Sequence, residues 1–180
     1  MRVGVLARIV SVAAILAAVA VLVPAQALPA ASQTSASLVA LQSGVLVRLN
    51  QIRVAHGLVP LELNRGLSAA ADEHTTEMLR DGYFAHNSVD GSAFWKRIER
   101  YYPSTQYRVW SVGENLLWSS GSLDANAALA LWMASREHRA NILSPGWREI
   151  GISALAENDA PGAFGGNSVT LVATDFGART

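Results

Sequence analysis

Residues 132–143 read WMASREHRANIL, and they join the end of an apolar segment to one histidine, His138. The segment that leads into them, Ser122 to Ser135, is apolar on almost every side of a helical projection, which is typical of a buried helix. A second histidine, His86, and one glutamate, Glu114, lie upstream. The two histidines are too far apart in the chain for a local motif to unite them. We therefore expect the tertiary structure to bring His86, Glu114 and His138 into one cleft.

The first residues have the pattern of a secretory signal peptide. Two arginines precede an apolar run, and the Ala-Gln-Ala sequence at 25–27 is a small-residue cleavage site. The run is shorter than the roughly 20 apolar residues that span a bilayer, so we expect cleavage; retention as a membrane anchor is the alternative. The predicted organisation is a signal at 1–27, a flexible lead at 28–37 and one domain at 38–180. The protein would then be secreted or extracytoplasmic, with no stable membrane span after signal cleavage.

Composition excludes several classes of function. The 180-residue chain has a formal net charge of 0 and no cysteine. Removal of the signal takes away two arginines and leaves a charge of −2, which argues against nucleic-acid binding because that needs a basic surface. Without cysteine the core has no disulfides, and a thiolate zinc site is impossible. Any metal must therefore be held by histidine and carboxylate side chains.

Hydrophobic periodicity predicts helices in the first part of the domain. Apolar residues from Leu38 to Ile52 recur every three or four positions and form one helical stripe. A second helix is expected after the N-cap residue Asn64. His74 lies on the apolar face of that helix, and we interpret it as a buried histidine with a hydrogen-bond partner. A short third helix is expected to turn three side chains inward, namely Phe94, Ile98 and Tyr101.

The end of the chain has the alternation of β-strands. Ile150 to Ala154 alternates large and small residues, and Val169 to Phe176 is β-branched. A loop rich in Gly, Pro, Asn and Asp, residues 157–166, separates the two, so they predict an antiparallel hairpin. Helices followed by a hairpin indicate the α+β class, with helices packed against a small antiparallel sheet.

Several motifs in order along the chain resemble the CAP superfamily, the SCP-like family of cysteine-rich secretory, antigen-type and pathogenesis-related proteins, in a cysteine-free bacterial form. The resemblance extends from about Leu38 to Gly177. The motifs that carry it are His86, Gly113-Glu114-Asn115, Trp132, His138-Arg139-Ala140-Asn141-Ile142-Leu143, Glu149-Ile150-Gly151 and Asp175-Phe176-Gly177.

The resemblance implies an α-β-α sandwich and a secreted, single-domain protein, which we expect to be a monomer. It also implies a cleft in which two histidines and up to two glutamates converge, and in which some members bind zinc or another divalent cation. His86, Glu114 and His138 match three of these positions. The other glutamate of the family falls near Ser135, and the nearby Glu137 is out of step with it.

Three kinds of chemistry follow for the cleft. His86, His138 and Glu114 are candidate ligands of zinc or another divalent cation, because neutral imidazole and carboxylate suit that metal. Alternatively, the same groups form a hydrogen-bonded network that rigidifies the cleft. A hydrolase would use Glu114 and His138 with Ser135 or Ser88 as nucleophile, but the chain has neither a G-x-S-x-G elbow nor an H-E-x-x-H pair.

A binding module is the interpretation that we favour over catalysis. The resemblance implies lipid or sterol binding in some members and cell-surface or host interaction in others. The expected partner is therefore a small apolar ligand or a cell-surface component. Aromatic side chains can line such a pocket, although core packing is the more common role for the five tryptophans of this chain, Trp95, Trp110, Trp118, Trp132 and Trp147.

Overall fold

The computed structural model describes residues 6–7 and 35–180. Five α-helices and five strands are present in these residues, and a 3₁₀ turn at Gly162–Phe164 precedes the last strand. The helices are α1 (Ser35–Ala55), α2 (Arg65–Asp81), α3 (Phe94–Tyr101), α4 (Ala125–Ala134) and α5 (Arg136–Ile142). The strands are β1 (Leu6–Ala7), β2 (Glu62–Leu63), β3 (Val109–Ser120), β4 (Glu149–Ala160) and β5 (Asn167–Arg179).

The strands form one sheet in the order β1-β3-β5-β4-β2. The three long strands β3, β5 and β4 are antiparallel, and β4 and β5 form the predicted hairpin. The two-residue strands β1 and β2 add short parallel pairings to β3 and β4. The α+β class is therefore confirmed, but the sheet is mixed rather than wholly antiparallel. Its central strand, β5, is buried along most of its length.

Helices cover both faces of the sheet, which confirms the expected α-β-α sandwich. On one face α1 and α4 pack with residues such as Trp132, Ile150 and Phe176 into one apolar core. On the other face α2 and α3 pack against the sheet through two smaller apolar clusters, which include Leu67 and Met78. Burial of this apolar surface on both faces is the main stabilising contribution.

The position of α2 against the sheet is set by a cap and a glycine. Asn64 is the N-cap, as predicted, and its Oδ1 accepts hydrogen bonds from the backbone N–H groups of Gly66 (2.8 Å) and Leu67 (3.1 Å). Gly151 on β4 has no side chain to keep the helix away. A Cβ at that position would lie 2.0 Å from the backbone carbon of Leu67. The first turn of α2 therefore rests directly on the strand.

Part of the predicted domain organisation lies outside the described residues. This applies to the signal at 1–27, apart from Leu6–Ala7, and to the lead at 28–37, apart from Ser35 to Ser37. Those last residues already belong to α1, so the helix begins before the expected domain start at Leu38. Among the helices that the structure describes, none has the length and apolar character required to cross a bilayer.

Two local predictions were wrong. Tyr101, expected to face inward, is 41% exposed, and the next residue, Tyr102, is fully buried instead. The reason is that α3 ends at Tyr101 and the chain turns the following ring into the core. Strand β4 also continues to Ala160, so the first four residues of the segment 157–166 that was expected to be a loop are part of the strand.

Candidate functional site

The site lies at the edge of the sheet, where Glu114 of β3 meets the segment after α2. Glu114 lies within the buried part of β3, and its side chain is 1% exposed. His86 comes from an irregular segment between α2 and α3, and its ring remains 31% exposed. The ring Nδ1 of His86 lies 2.7 Å from Glu114 Oε1. Two of the three predicted site residues are therefore in direct contact, although 28 positions separate them in the chain.

Arg97 of α3 is a member of the site that sequence reasoning missed. It is fully buried, and one guanidinium nitrogen donates to Glu114 Oε2. The other terminal nitrogen donates to the backbone oxygen of His86 at 3.3 Å. A signal for it was present, because position 97 lies on the same face of α3 as Phe94 and Ile98. A charged residue on an apolar face needs a buried partner.

His74 of α2 lies next to Glu114, on the side of the site that faces α2. Its ring is fully buried, and Nε2 donates to the backbone oxygen of Ala85 at 2.8 Å, because a carbonyl can only accept. The same nitrogen lies 4.0 Å from Glu114 Oε2. Burial lowers the pKa of His74, although the nearby Glu114 charge opposes this effect. The interpretation of His74 as a buried histidine with a partner is confirmed, and this histidine holds the residue next to His86.

Asp175 of β5 is the second member that was missed as a site residue. It pairs directly across the sheet with Glu114, and its side chain is fully buried. Burial, followed by the charge of Glu114, raises the pKa of Asp175 well above its ordinary value. Both carboxyl oxygens of Asp175 are buried and, among the described residues, have no hydrogen-bond partner, which agrees with burial as the main cause of the shift. The sequence did contain a signal for this residue, because the acidic Asp175 interrupts an otherwise apolar strand.

Glu114 itself is the ionised member of the acid pair. Burial disfavours its charge, but the Arg97 guanidinium and the hydrogen bond from His86 outweigh that effect and lower the pKa of Glu114. With Glu114 ionised, the Nδ1 of His86 must be the protonated nitrogen in their hydrogen bond. In the neutral ring the other nitrogen, Nε2, then carries a free lone pair.

His138 approaches the same edge of the sheet from the opposite face. It lies on the short helix α5, separated from α4 by Ser135, rather than at the end of one continuous helix. Asn115 of β3 donates to the backbone oxygen of His138 at 3.1 Å. Burial, and next the charge of His86, lowers the pKa of His138. The two imidazoles are therefore within electrostatic reach of each other, near the part of β3 that carries Glu114.

Asn141, one turn further along α5, fixes this arrangement. Its amide nitrogen donates to the backbone oxygen of Glu114 and to Asn115 Oδ1, both at 3.0 Å. These bonds tie α5 to β3 at the buried residues Glu114 and Asn115. The position of His138 relative to Glu114 is thus set by the side-chain hydrogen bonds of Asn115 and Asn141.

The family follows from a comparison with known proteins. Residues 46–167 match the model of the cysteine-rich secretory protein family, CAP. The chain belongs to the CAP family. It does so without a single cysteine, so the fold is held by packing and polar contacts alone.

Curated relatives of this CAP protein come from Bacillus subtilis. It is 30% identical over 131 residues to the uncharacterized protein YkwD, and 30% identical over 108 residues to the uncharacterized membrane protein YlbC. These matches cover 72% and 60% of this chain. The chain spans 49% of the length of YkwD and 30% of YlbC.

Solved structures show the same fold at low identity. An outer surface protein of Borrelia burgdorferi matches 84% of this chain and 99% of its own, with a TM-score of 0.61 and 18% identity. An extracellular protein of Bacillus anthracis that contains an SCP domain matches 81% of this chain and 44% of its own, with a TM-score of 0.57 and 23% identity. A cysteine-rich secretory protein of Staphylococcus aureus matches 82% and 41%, with a TM-score of 0.61 and 16% identity.

Ser135 has a structural role in this CAP domain. It is the C-cap of α4 and the N-cap of α5, where its hydroxyl accepts a hydrogen bond from the backbone N–H of His138 at 3.4 Å. Glu137 pairs with the exposed Arg136, and its side chain is 44% exposed. Glu137 therefore points to solvent instead of completing an acid pair with Glu114. The acid next to Glu114 is Asp175, from another strand.

The donor set limits what kind of metal could be held. Within residues 6–7 and 35–180, no group of three or more His, Cys, Asp or Glu side chains is arranged as a metal site. Both oxygens of Glu114 are already engaged, one by His86 and the other by Arg97. Glu114 therefore fits the role of an acceptor that orients a ring better than the role of a direct ligand. The groups that remain suitable as ligands are the imidazoles of His86 and His138.

Proposed function

We propose that this CAP protein is an extracytoplasmic binding module whose cleft takes a divalent cation, preferably zinc, on the imidazoles of His86 and His138. The hydrogen bond from His86 Nδ1 to Glu114 Oε1 carries this proposal, because it leaves Nε2 of the neutral ring free. A carboxylate that accepts a hydrogen bond from a histidine in this way also fixes the orientation of the ring as a metal ligand.

The electrostatics of the cleft support a cation at this place. The lowered pKa of His138 keeps that ring neutral at neutral pH, which is the form that binds a metal. The Glu114 carboxylate is already paired with the Arg97 guanidinium, so it orients the His86 ring without adding net negative charge to the cleft. When bound, zinc would act as a Lewis acid that can also accept an anionic group of a partner.

Two protein ligands leave coordination positions for water or for a partner. A catalytic zinc usually has three protein ligands, so a two-histidine site suits reversible binding better than turnover. We propose that the remaining positions receive a polar group of a small apolar ligand or of a cell-surface component. The hydrolase alternative has less support, because the Ser135 hydroxyl is used as a helix cap.

An extracytoplasmic location is part of the proposal. The signal pattern at 1–27 supports it, as do structural neighbours that are described as extracellular or outer-surface proteins. We expect the protein to act as a monomer, which sedimentation of the purified protein would test.

Isothermal titration of the purified protein with zinc tests the site. We expect one zinc per chain in the wild type, and affinity at least about tenfold weaker in His86→Ala and in His138→Ala. His56→Ala is the matched control, because His56 lies on the exposed loop after α1 and bonds only to the backbone of its own helix. Equal zinc binding by the wild type and all three variants would disprove the proposal.

A further inference from the structure

Arg97, Glu114 and His86 form a closed ring of hydrogen bonds. One terminal nitrogen of Arg97 donates to Glu114 Oε2, and Glu114 Oε1 receives Nδ1 of His86 at 2.7 Å. The other terminal nitrogen of Arg97 returns to the backbone oxygen of His86 at 3.3 Å. Arg97 therefore contacts both the carboxylate that orients the His86 ring and the backbone from which that ring extends.

We propose that Arg97 is the positioning residue of the site, which sets the tautomer and direction of the His86 ring through this closed ring. The segment that carries His86 has no helix or strand of its own. Its backbone oxygens at Ala85 and His86 are held instead by His74 and by Arg97. The geometry of His86 thus depends on side chains from two helices.

A guanidinium group suits this task and an ammonium group does not. The planar fork of Arg presents donors in two fixed directions, whereas Lys has one compact charge at the end of a flexible stem. A lysine at position 97 can satisfy either Glu114 or the His86 carbonyl, but not both in the same geometry. Helix α3 also places Phe94 beside the His86 ring, with the ring centroids 6.3 Å apart. Arg97 and Phe94 together make α3 the scaffold of this histidine.

A purely structural role for Arg97 makes a different prediction. In that case Arg97→Lys would change stability only, since the charge that neutralises Glu114 is kept. A positioning role predicts that the folded Arg97→Lys protein loses the single tautomer of His86. The tautomer is measured in metal-free protein, so this test does not depend on zinc. The expected effect on zinc affinity does rest on the proposed function.

The experiment is nitrogen-15 spectroscopy of the histidine rings at about pH 8, above the ordinary histidine pKa. In the wild type we expect His86 to carry its proton on Nδ1 only. In Arg97→Lys we expect both tautomers, together with zinc affinity weaker by about tenfold or more. Arg100→Lys is the control, because Arg100 lies on the same helix and makes an exposed ion pair with Glu73.

The outcomes separate the two proposals. If Arg97→Lys retains one His86 tautomer, Arg97 is not the positioning residue, whatever the zinc affinity. If the tautomers mix but the wild type binds no zinc, the positioning role stands and the metal proposal fails. Should Arg97→Lys not fold, Arg97→Gln serves instead, since a folded protein with an unchanged tautomer would equally overturn the inference.

Discussion

Glu114 and Asp175 lie directly opposite each other on β3 and β5, with both carboxyl groups buried on the side of the sheet that faces α2. Like charges opposite each other destabilise a sheet. This pair is tolerated because the pKa values of the two acids are shifted in opposite directions. The Arg97 guanidinium and the His86 ring keep Glu114 ionised despite its burial, whereas burial and the charge of Glu114 raise the pKa of Asp175.

The acid pair predicts how stability depends on pH. The pKa of Asp175 is higher in the folded protein than in the unfolded chain. Above the unfolded pKa of about 4, the unfolded chain therefore binds fewer protons, and the contribution of Asp175 to stability falls as pH rises toward the folded pKa. For one proton the slope is roughly 1.4 kcal/mol per pH unit.

Asp175→Asn is expected to remove this loss, because the asparagine amide has the same size as the carboxyl group and does not titrate. Between pH 5 and pH 8 the free energy of unfolding of the variant should fall less than that of the wild type. Urea denaturation across that range measures it. Asp159→Asn is the control, because Asp159 is exposed and its positive φ of 54° suits asparagine. Parallel pH profiles for Asp175→Asn and the wild type would contradict the assignment.

The charge of His86 should affect the pKa of His138 in solution. The charge of His86 is the second cause, after burial, of the lowered pKa of His138. We expect His86→Ala to raise the pKa of His138 toward the ordinary value of about 6.5 without reaching it, because burial remains. Titration of the His138 ring by NMR measures the change. An unchanged pKa would mean that the two rings do not face a common space.

The contact between α2 and β4 should tolerate no added methyl group. A Cβ at position 151 would lie 2.0 Å from backbone of Leu67, so the first turn of α2 would have to move. We expect Gly151→Ala to lower the free energy of unfolding by about 3 kcal/mol or more. Gly146→Ala is the matched control, since its Cβ would come no closer than 3.8 Å to a neighbouring atom. Equal denaturation midpoints for these two variants would refute the close packing.

Helices α2 and α4 should differ in their response to loss of the N-cap side chain. Asp124 accepts one bond, from the backbone N–H of Ala127 at 2.8 Å. Asn64 accepts from two backbone groups and also donates to Glu149 at 2.6 Å. We expect a loss of about 1 kcal/mol for Asp124→Ala and about 2 kcal/mol for Asn64→Ala. Chemical denaturation would measure both, and a larger loss for Asp124→Ala would contradict this ranking.

Local signals in the sequence predicted much of the fold. The N-cap at Asn64, the helical stripe that begins near Leu38 and the strands around Ile150 and Val169 depend on neighbours in the chain, so they could be recognised without coordinates. Strand β3 was harder to recognise, because a buried acid interrupts its apolar residues at Glu114. Its partners, Arg97 and Asp175, come from a helix and a strand that are distant in sequence.

The sequence by itself determined most of the helices, the terminal hairpin, the family and the three residues expected in the cleft, because periodicity, caps and motif order are properties of the chain alone. The tertiary structure decided which of those residues are in contact and which charge or proton each side chain holds. The raised pKa of Asp175, the tautomer of His86 and the direction of its ring all depend on burial and on charges supplied by other elements. Such effects act through space over a few ångströms, so they arise only when the sheet and its helices have assembled.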